Sequence, residues 1–434
     1  MTGSVELKAQ ELNKPELTPR SMAATVGATI GFMVGPGSII APPIGLFMIP
    51  VATEFGFGRA GFPLLMLMVS IFAGTVSPLA GRAIDRFGVR RVIIPAVILS
   101  GLAQLTLWGT AGSAFAFIAV MALIGALAGI QNPVAYTRVL SLWFSHRRGF
   151  MIAIAAALGT GGGGIIVPQL VERLIGIGGW RLGYAGLGVF ILLGVPLLIW
   201  LLREPATHIA KRVAVGQAPS SLTGCSLKQA MATPTFWMIM LALVAASASL
   251  VALSVHVPAW IADAGGSSGV AASFLSLLAL GSIAGQLGSG YLLDRIPSAK
   301  IGAPFFVIAA CGAGILTALP PTSPWIPFAG LMAGMSLGAE LGLASYVVSR
   351  YFGLRCYGQI YGFVYGAMVI ASGAGPVIMG VAFEINKDYL PAFGVTSIAL
   401  LISFLMFALL PSYKYNVGNS HDEQSNDLSE GVKV

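Results

Sequence analysis

Twelve apolar runs, each long enough to cross a lipid bilayer, leave this chain few ways to fold. They cover about 22–53, 61–81, 91–111, 115–142, 150–171, 183–202, 236–262, 270–293, 300–320, 325–349, 358–383 and 389–410. A bilayer core needs roughly 20 apolar residues per helix. In lipid every backbone polar group has to bond within its own segment, so runs of this length become helices. Composition closes the soluble alternative. Charged residues are 9% of the 434 and hydrophobic ones 56%, against roughly 25% charged in a soluble domain. No single core buries that much apolar surface. The expectation is an all-α membrane protein with twelve transmembrane helices. Its first run is over-long and holds Pro36, Pro42, Pro43 and Pro50, which predicts a kinked or partly broken helix.

Lysine and arginine orient the spans. Nineteen of the 24 fall in the tails and alternate loops on one side. The opposite side has Arg59, Arg173, Arg181 and Lys387, and Arg138 is left inside a span. Such asymmetry places both termini in the cytoplasm, and a bacterial inner membrane is the expected location. The net charge of +8 sits in short loops, not in a basic domain, so no nucleic-acid partner is expected. The longest polar stretch between spans, 203–235, carries Arg203, Lys211, Arg212 and Lys228 and reads as a cytoplasmic linker. It divides a lobe at 22–202 from a lobe at 236–410, with cytoplasmic tails at 1–21 and 411–434. The first 20 residues are polar and mixed in charge, so no signal peptide is expected. Cys225, Cys311 and Cys356 lie far apart and suggest neither a disulfide framework nor a metal site. No cofactor is expected.

The two halves repeat each other. Gly81, Asp85 and Arg86 follow the second span as Gly290, Asp294 and Arg295 follow the eighth, 209 residues later. Trp143-Phe144, Gly149 and Pro168 match Tyr351-Phe352, Gly358 and Pro376 at offsets of 208 or 209. Pro50 and Pro258 match at 208. Six spans repeated in the same orientation are the parallel duplication of a two-lobed transporter, with its substrate site between the lobes.

Gly81-x-x-x-Asp85-Arg86-x-Gly88-x-Arg90-Arg91 has a physical reading of its own. Gly81 allows two helices to approach closely. Asp85 can cap or charge-stabilise a neighbouring helix start, and the arginines can pair across to the other lobe. The pattern resembles the loop motif of the major facilitator superfamily. Phe144-Ser145-His146-Arg147-Arg148-Gly149, a glycine-rich span and Gly179-Trp180-Arg181 resemble that family's monocarboxylate porter and oxalate–formate antiporter branch. So do Val348-Ser349-Arg350-Tyr351-Phe352-Gly353, Tyr361-Gly362, Gly373, Gly375-Pro376 and Gly380. The resemblance implies the major facilitator fold, two pseudo-symmetric six-helix lobes that alternate access to a cavity lined by spans 1, 4, 7 and 10. It implies a small organic anion as substrate, moved with a proton or by exchange. The oxalate–formate exchangers hold their anion with cationic side chains on spans 8 and 11. Residues 270–293 and 358–383 hold no Lys or Arg here, which favours a monoanion or an aromatic acid over a clamped dianion.

Polar groups inside a membrane are costly and mark functional candidates. Arg138 lies seven residues in from Ser145, about 10 Å deep at 1.5 Å per residue. It is a candidate for the substrate carboxylate; the competing expectation is that it snorkels to the interface or pairs between helices. Glu340 lies ten residues in from Arg350, about 15 Å deep, and is the proton-coupling candidate, with a structural hydrogen bond as the alternative. His256 near the outer end of span 7 either titrates during transport or is a satisfied structural histidine. Asn132 is the repeat counterpart of Glu340, and Tyr346 that of Arg138. These two, with Tyr136, Tyr361 and Tyr365, are candidate substrate contacts, and Gln131, Trp260 and Gln286 are weaker ones. The glycines at 159 and 161–164 lack the Lys-Ser/Thr of a phosphate loop and suggest close helix packing. No catalytic triad, metal cluster or nucleotide motif is found, so no enzyme is expected. The reading is a monomeric, proton-coupled transporter of a small organic acid in a lipid bilayer. An organic-anion exchanger and a drug or metabolite exporter are the alternatives.

Overall fold

The computed structural model describes residues 17–413 apart from 41, 58–60, 111, 145–146, 205–223 and 297. Ser145 and His146, both tails beyond 17 and 413, and most of the 203–235 linker lie outside the described residues. Among the described residues every long element is a helix.

Eleven helical stretches have the length and apolarity of a membrane crossing, and one of them, Arg148–Leu201, has 54 residues. At 1.5 Å per residue that stretch would measure about 80 Å, more than twice a bilayer core. It is two spans. Gly178 and Gly179 leave the helical region between them, Gly179 at φ 74° and ψ −177°. That conformation is open almost only to glycine. Splitting it there yields spans 5 and 6, and twelve apolar spans are present among the described residues.

Proline breaks span 1 as its sequence predicts. Helix Pro19–Met33 stops, a turn at Pro36–Ile39 follows, and helix Ile44–Phe55 resumes. Carbonyls freed by such a break need new donors in lipid. Ser38 Oγ supplies one, donating to Phe32 O at 3.1 Å and reaching Gly159 O and Thr160 O at 3.4 Å. Those last two belong to a π-helical turn, Ala157–Gly161, in span 5. Two irregular backbones thus pack on each other. Span 4 also breaks, into Ala114–Ile130 and Pro133–Trp143.

Spans 2, 3 and 7 to 12 contain helices Gly61–Phe87, Val89–Thr106, Pro234–Asp263, Ser268–Arg295, Gly302–Ala318, Ile326–Phe352, Tyr357–Asn386 and Leu390–Ala408. Their buried apolar side chains gather into two clusters. One is built from spans 1 to 6; the other is built from spans 7 to 12, and Val134 of span 4 packs into it. The repeat extends to packing. Gly125 and Gly129 of span 4 press on Val69 and Ala73 of span 2. Gly334 and Gly338 of span 10 press on Leu278 and Ser282 of span 8, 209 residues later in every case. Small residues let lipid-embedded helices meet backbone to backbone.

Candidate functional site

The two halves meet through a pair of matching crossings on the arginine-rich face. At the first, Asp85 at the end of span 2 faces the start of span 11. Its two carboxylate oxygens accept from Gly358 N at 3.1 Å and Gln359 N at 3.0 Å. At the second, Asp294 at the end of span 8 faces the start of span 5 and accepts from Gly149 N at 2.7 Å and Phe150 N at 2.8 Å. The amides at a helix start lack partners and carry partial positive charge, so a carboxylate suits both needs. Gly81 lies against the Gly358 carbonyl and Gly290 against that of Gly149. A Cβ at Gly358 would come within 2.6 Å of Gly81 O and 2.7 Å of Asp85 Oδ1. The Gly–Asp pairs of the repeated motif therefore form one latch in duplicate.

Arg138 belongs to that latch. It is 4% exposed, and its Nη1 forms an ion pair with Asp85 Oδ1. In this conformation the guanidinium expected to meet a substrate carboxylate holds a protein carboxylate instead. Thr137, one residue earlier, meets Tyr357 of span 11 hydroxyl to hydroxyl at 3.3 Å. Among the other motif residues, Gly88 caps span 3 with φ 90°. Arg90 Nη2 donates to Ile199 O, while Arg91 is exposed. Arg86 lies over the Phe87 ring and Arg295 over the Tyr291 ring.

Glu340 occupies a different place. It is 4% exposed within the second half and accepts a hydrogen bond from Ser247 of span 7. Among the described residues it forms no ion pair. Beside it runs a ladder of tyrosines on span 11, Tyr357, Tyr361 and Tyr365, with ring centroids 5.5 and 6.2 Å apart. Tyr361 donates to Leu341 O at 3.4 Å. The ladder reaches from the latch towards the buried carboxyl.

The remaining candidates are dispersed. Asn132 is the cap of the second helix of span 4. Its oxygen accepts from Val134 N at 3.1 Å, and its amide donates to Gly129 O at 2.9 Å and Ser77 Oγ at 3.2 Å. Its amide nitrogen and oxygen thus both have protein partners in this conformation. His256 donates from Nε2 to Pro376 O at 2.8 Å and faces Tyr389 OH with Nδ1 at 3.4 Å; both ring nitrogens have partners. Tyr346 accepts from Arg350 at 3.1 Å beside the latch. Gln131 donates to Ala96 O at 3.2 Å, and Trp260 packs edge-on against Phe393. Tyr136 rests against Gly31 of span 1, its hydroxyl buried and without a partner among the described residues.

Three participants escape a reading of the sequence. Arg148 counts there as a loop cation, yet it is 3% exposed, within electrostatic reach of Tyr357, Tyr346, Arg350 and Asp294. Ser247 is one serine among several in an apolar run, with no signal that pairs it with Glu340. Glu54, at the end of span 1, accepts from Trp180 Nε1 at 2.8 Å and Arg181 Nη1 at 2.9 Å, and pairs with Arg181 Nη2. It clamps the broken span to the Gly178–Gly179 turn on the opposite face. The Trp180-Arg181 pair was a visible signal, but its partner was not.

Comparison with known proteins agrees with this architecture. The profile of the Major Facilitator Superfamily matches residues 27–376. A gallate transporter of Pseudomonas putida is 25% identical over 393 residues, covering 80% of this chain and 83% of the relative. Monocarboxylate transporter 11 of Mus musculus is 24% identical over 354 residues, covering 77% and 75%. The crystal structure of the Escherichia coli fucose:proton symporter FucP superposes with a TM-score of 0.66 at 16% identity, over 89% of this chain and 98% of that one.

Proposed function

The chain belongs to the major facilitator superfamily, and on that premise we propose that it moves a small organic anion, a monocarboxylate or an aromatic acid, together with a proton. It is a multi-pass membrane protein and not an enzyme. Relatives named for gallate and for monocarboxylates support the anion class. The absence of Lys and Arg from 270–293 and 358–383 supports a single carboxylate over two.

The observation that carries the proton reading is Glu340, a buried carboxyl with a serine partner and, among the described residues, no paired cation. A carboxyl so placed charges only at a desolvation cost. Access to water on alternate sides of the membrane makes that cost the coupling step. Arg138 meets the substrate carboxylate by exchanging Asp85 for it, because the two carboxylates are the same chemical group. Tyr136 and Tyr365 supply hydrogen bonds to it. Alternating access follows from rocking of the lobes 22–202 and 236–410 about the latch, with 203–235 as their tether. The protein works as a monomer with both termini in the cytoplasm of a bacterial inner membrane.

Purified protein in liposomes tests this. Mono- and dicarboxylates, aliphatic and aromatic, are screened for uptake with and without an inward proton gradient. Gradient-driven accumulation of a monocarboxylate is expected, and Glu340→Gln is expected to abolish accumulation while leaving exchange. Accumulation by Glu340→Gln against a gradient overturns the coupling role. Uptake only against preloaded anion replaces symport by exchange, and silence across the panel points to export.

A further inference from the structure

A cavity of about 1060 Å³ opens at the arginine-rich face where spans 1, 3, 4 and 6 converge. Four guanidinium groups line it: Arg20 at the start of span 1, Arg90 and Arg91 in the first turn of span 3, and Arg203 just beyond span 6. Among the described residues a single carboxylate, Glu204, lies beside them, and its Oε1 accepts from Val89 N at 2.7 Å. Neither ion pair found among the described residues uses these arginines. Arg90 Nε is buried with no partner among the described residues.

The balance calls for an anion. Cations in the first turn of a helix oppose the positive end of its dipole. Arg20, Arg90 and Arg91 all sit in such turns. The walls are built rather than loose. Trp143 Nε1 donates to Arg203 O at 2.8 Å, and Arg203 Nε donates to Trp200 O at 3.0 Å. Two indoles thus flank the basic floor at the level where amphipathic aromatics meet a membrane interface.

What leads out of the cavity identifies the rest of the ligand. Pro95 of span 3 is exposed in the cavity wall, and exposed Leu99 and Leu102 follow it along the helix. On span 6, exposed Trp200 lies in the wall, with exposed Leu197 and Leu193 one and two turns deeper. The two helices touch at Gly101 and Gly188, so these rows run side by side down a surface that faces hydrocarbon. We propose that this cavity binds an anionic glycerophospholipid. The phosphate is held by Arg20, Arg90, Arg91 and Arg203, and an acyl chain lies along Leu99, Leu102, Leu193 and Leu197. Guanidinium forks match phosphate oxygens in pairs. Four of them against one carboxylate disfavour a headgroup that brings its own ammonium.

The test uses the full-length protein in detergent, titrated with phosphatidylglycerol or with phosphatidylcholine of the same chains, bound lipid being counted by native mass spectrometry. Phosphatidylglycerol is expected to bind at least tenfold tighter. The double variant Arg20→Gln, Arg203→Gln is expected to lose about 30-fold, from about 1 kcal/mol per arginine near a membrane surface. The double variant Arg20→Lys, Arg203→Lys should keep most of the affinity. Equal binding of the two lipids by the wild-type protein overturns the proposal without reliance on any variant, as does unchanged affinity in the glutamine variant. Displacement of the lipid by glycerol 3-phosphate at matching affinity would make this a site for a free anion. Phosphatidylglycerol binding that appears only after removal of residues 1–16 would make the N-terminal tail the occupant. Either result also overturns it.

Discussion

Asp85 joins two networks at once, capping span 11 and pairing with Arg138. Substituting Asp85→Asn keeps an acceptor for the amides but removes the charge facing a buried guanidinium. A loss of about 3 kcal/mol from the latched conformation is expected, read as a lower thermal midpoint and greater maleimide labelling of a cysteine placed at Thr137. Unchanged labelling would show that the ion pair does not hold the latch. Asn132→Ala removes a helix cap and a bond to Ser77, and should cost about 1–2 kcal/mol in thermal or denaturant unfolding. Sequence reading identified Arg138 and Glu340 as chemically loaded because charge is rare in the spans, and Asp85 because its motif recurs. It could not choose the partner of any of them. Partners lie 53 residues away for Arg138 and 93 for Glu340, and no local pattern encodes such a distance.

Breaks in the spans carry their own signals, and these were unevenly legible. Span 1 announces its interruption with Pro36, Pro42 and Pro43. Span 4 hides one behind a single Pro133, where Asn132 turns a helix interior into a helix start. The π-helical turn at Ala157–Gly161 appears in the sequence only as glycines, and its contact with the Ser38 hydroxyl of a different span leaves no local signal. Glycine at 179 is a turn of another kind, held at φ 74° and ψ −177°. Gly179→Ala should cost about 1–3 kcal/mol, seen as a lowered thermal midpoint. A midpoint equal to wild type would mean that the turn between spans 5 and 6 relaxes without strain.

At the scale of the molecule, the repeat makes a joint prediction. Gly81→Leu combined with Gly290→Leu would place side chains into the carbonyls of Gly358 and Gly149, so the arginine-rich ends of the two halves should no longer close. Labelling of a cysteine at Thr137 is expected to rise several-fold over the parent, and failure to rise would mean that the crossings are not the closure. The existence of twelve apolar spans and their duplication were determined by the sequence alone. Hydrophobic length and an offset of 208 or 209 residues are one-dimensional properties, and lipid leaves a long apolar run little choice but a helix. Which charges face each other was decided only by the tertiary structure. Arg138 meeting Asp85, Glu54 clamping the turn before Trp180, and Glu340 meeting a serine all depend on helix rotation and crossing. Those are set by small-residue contacts between segments far apart in the chain, where the hydrophobic pattern is silent.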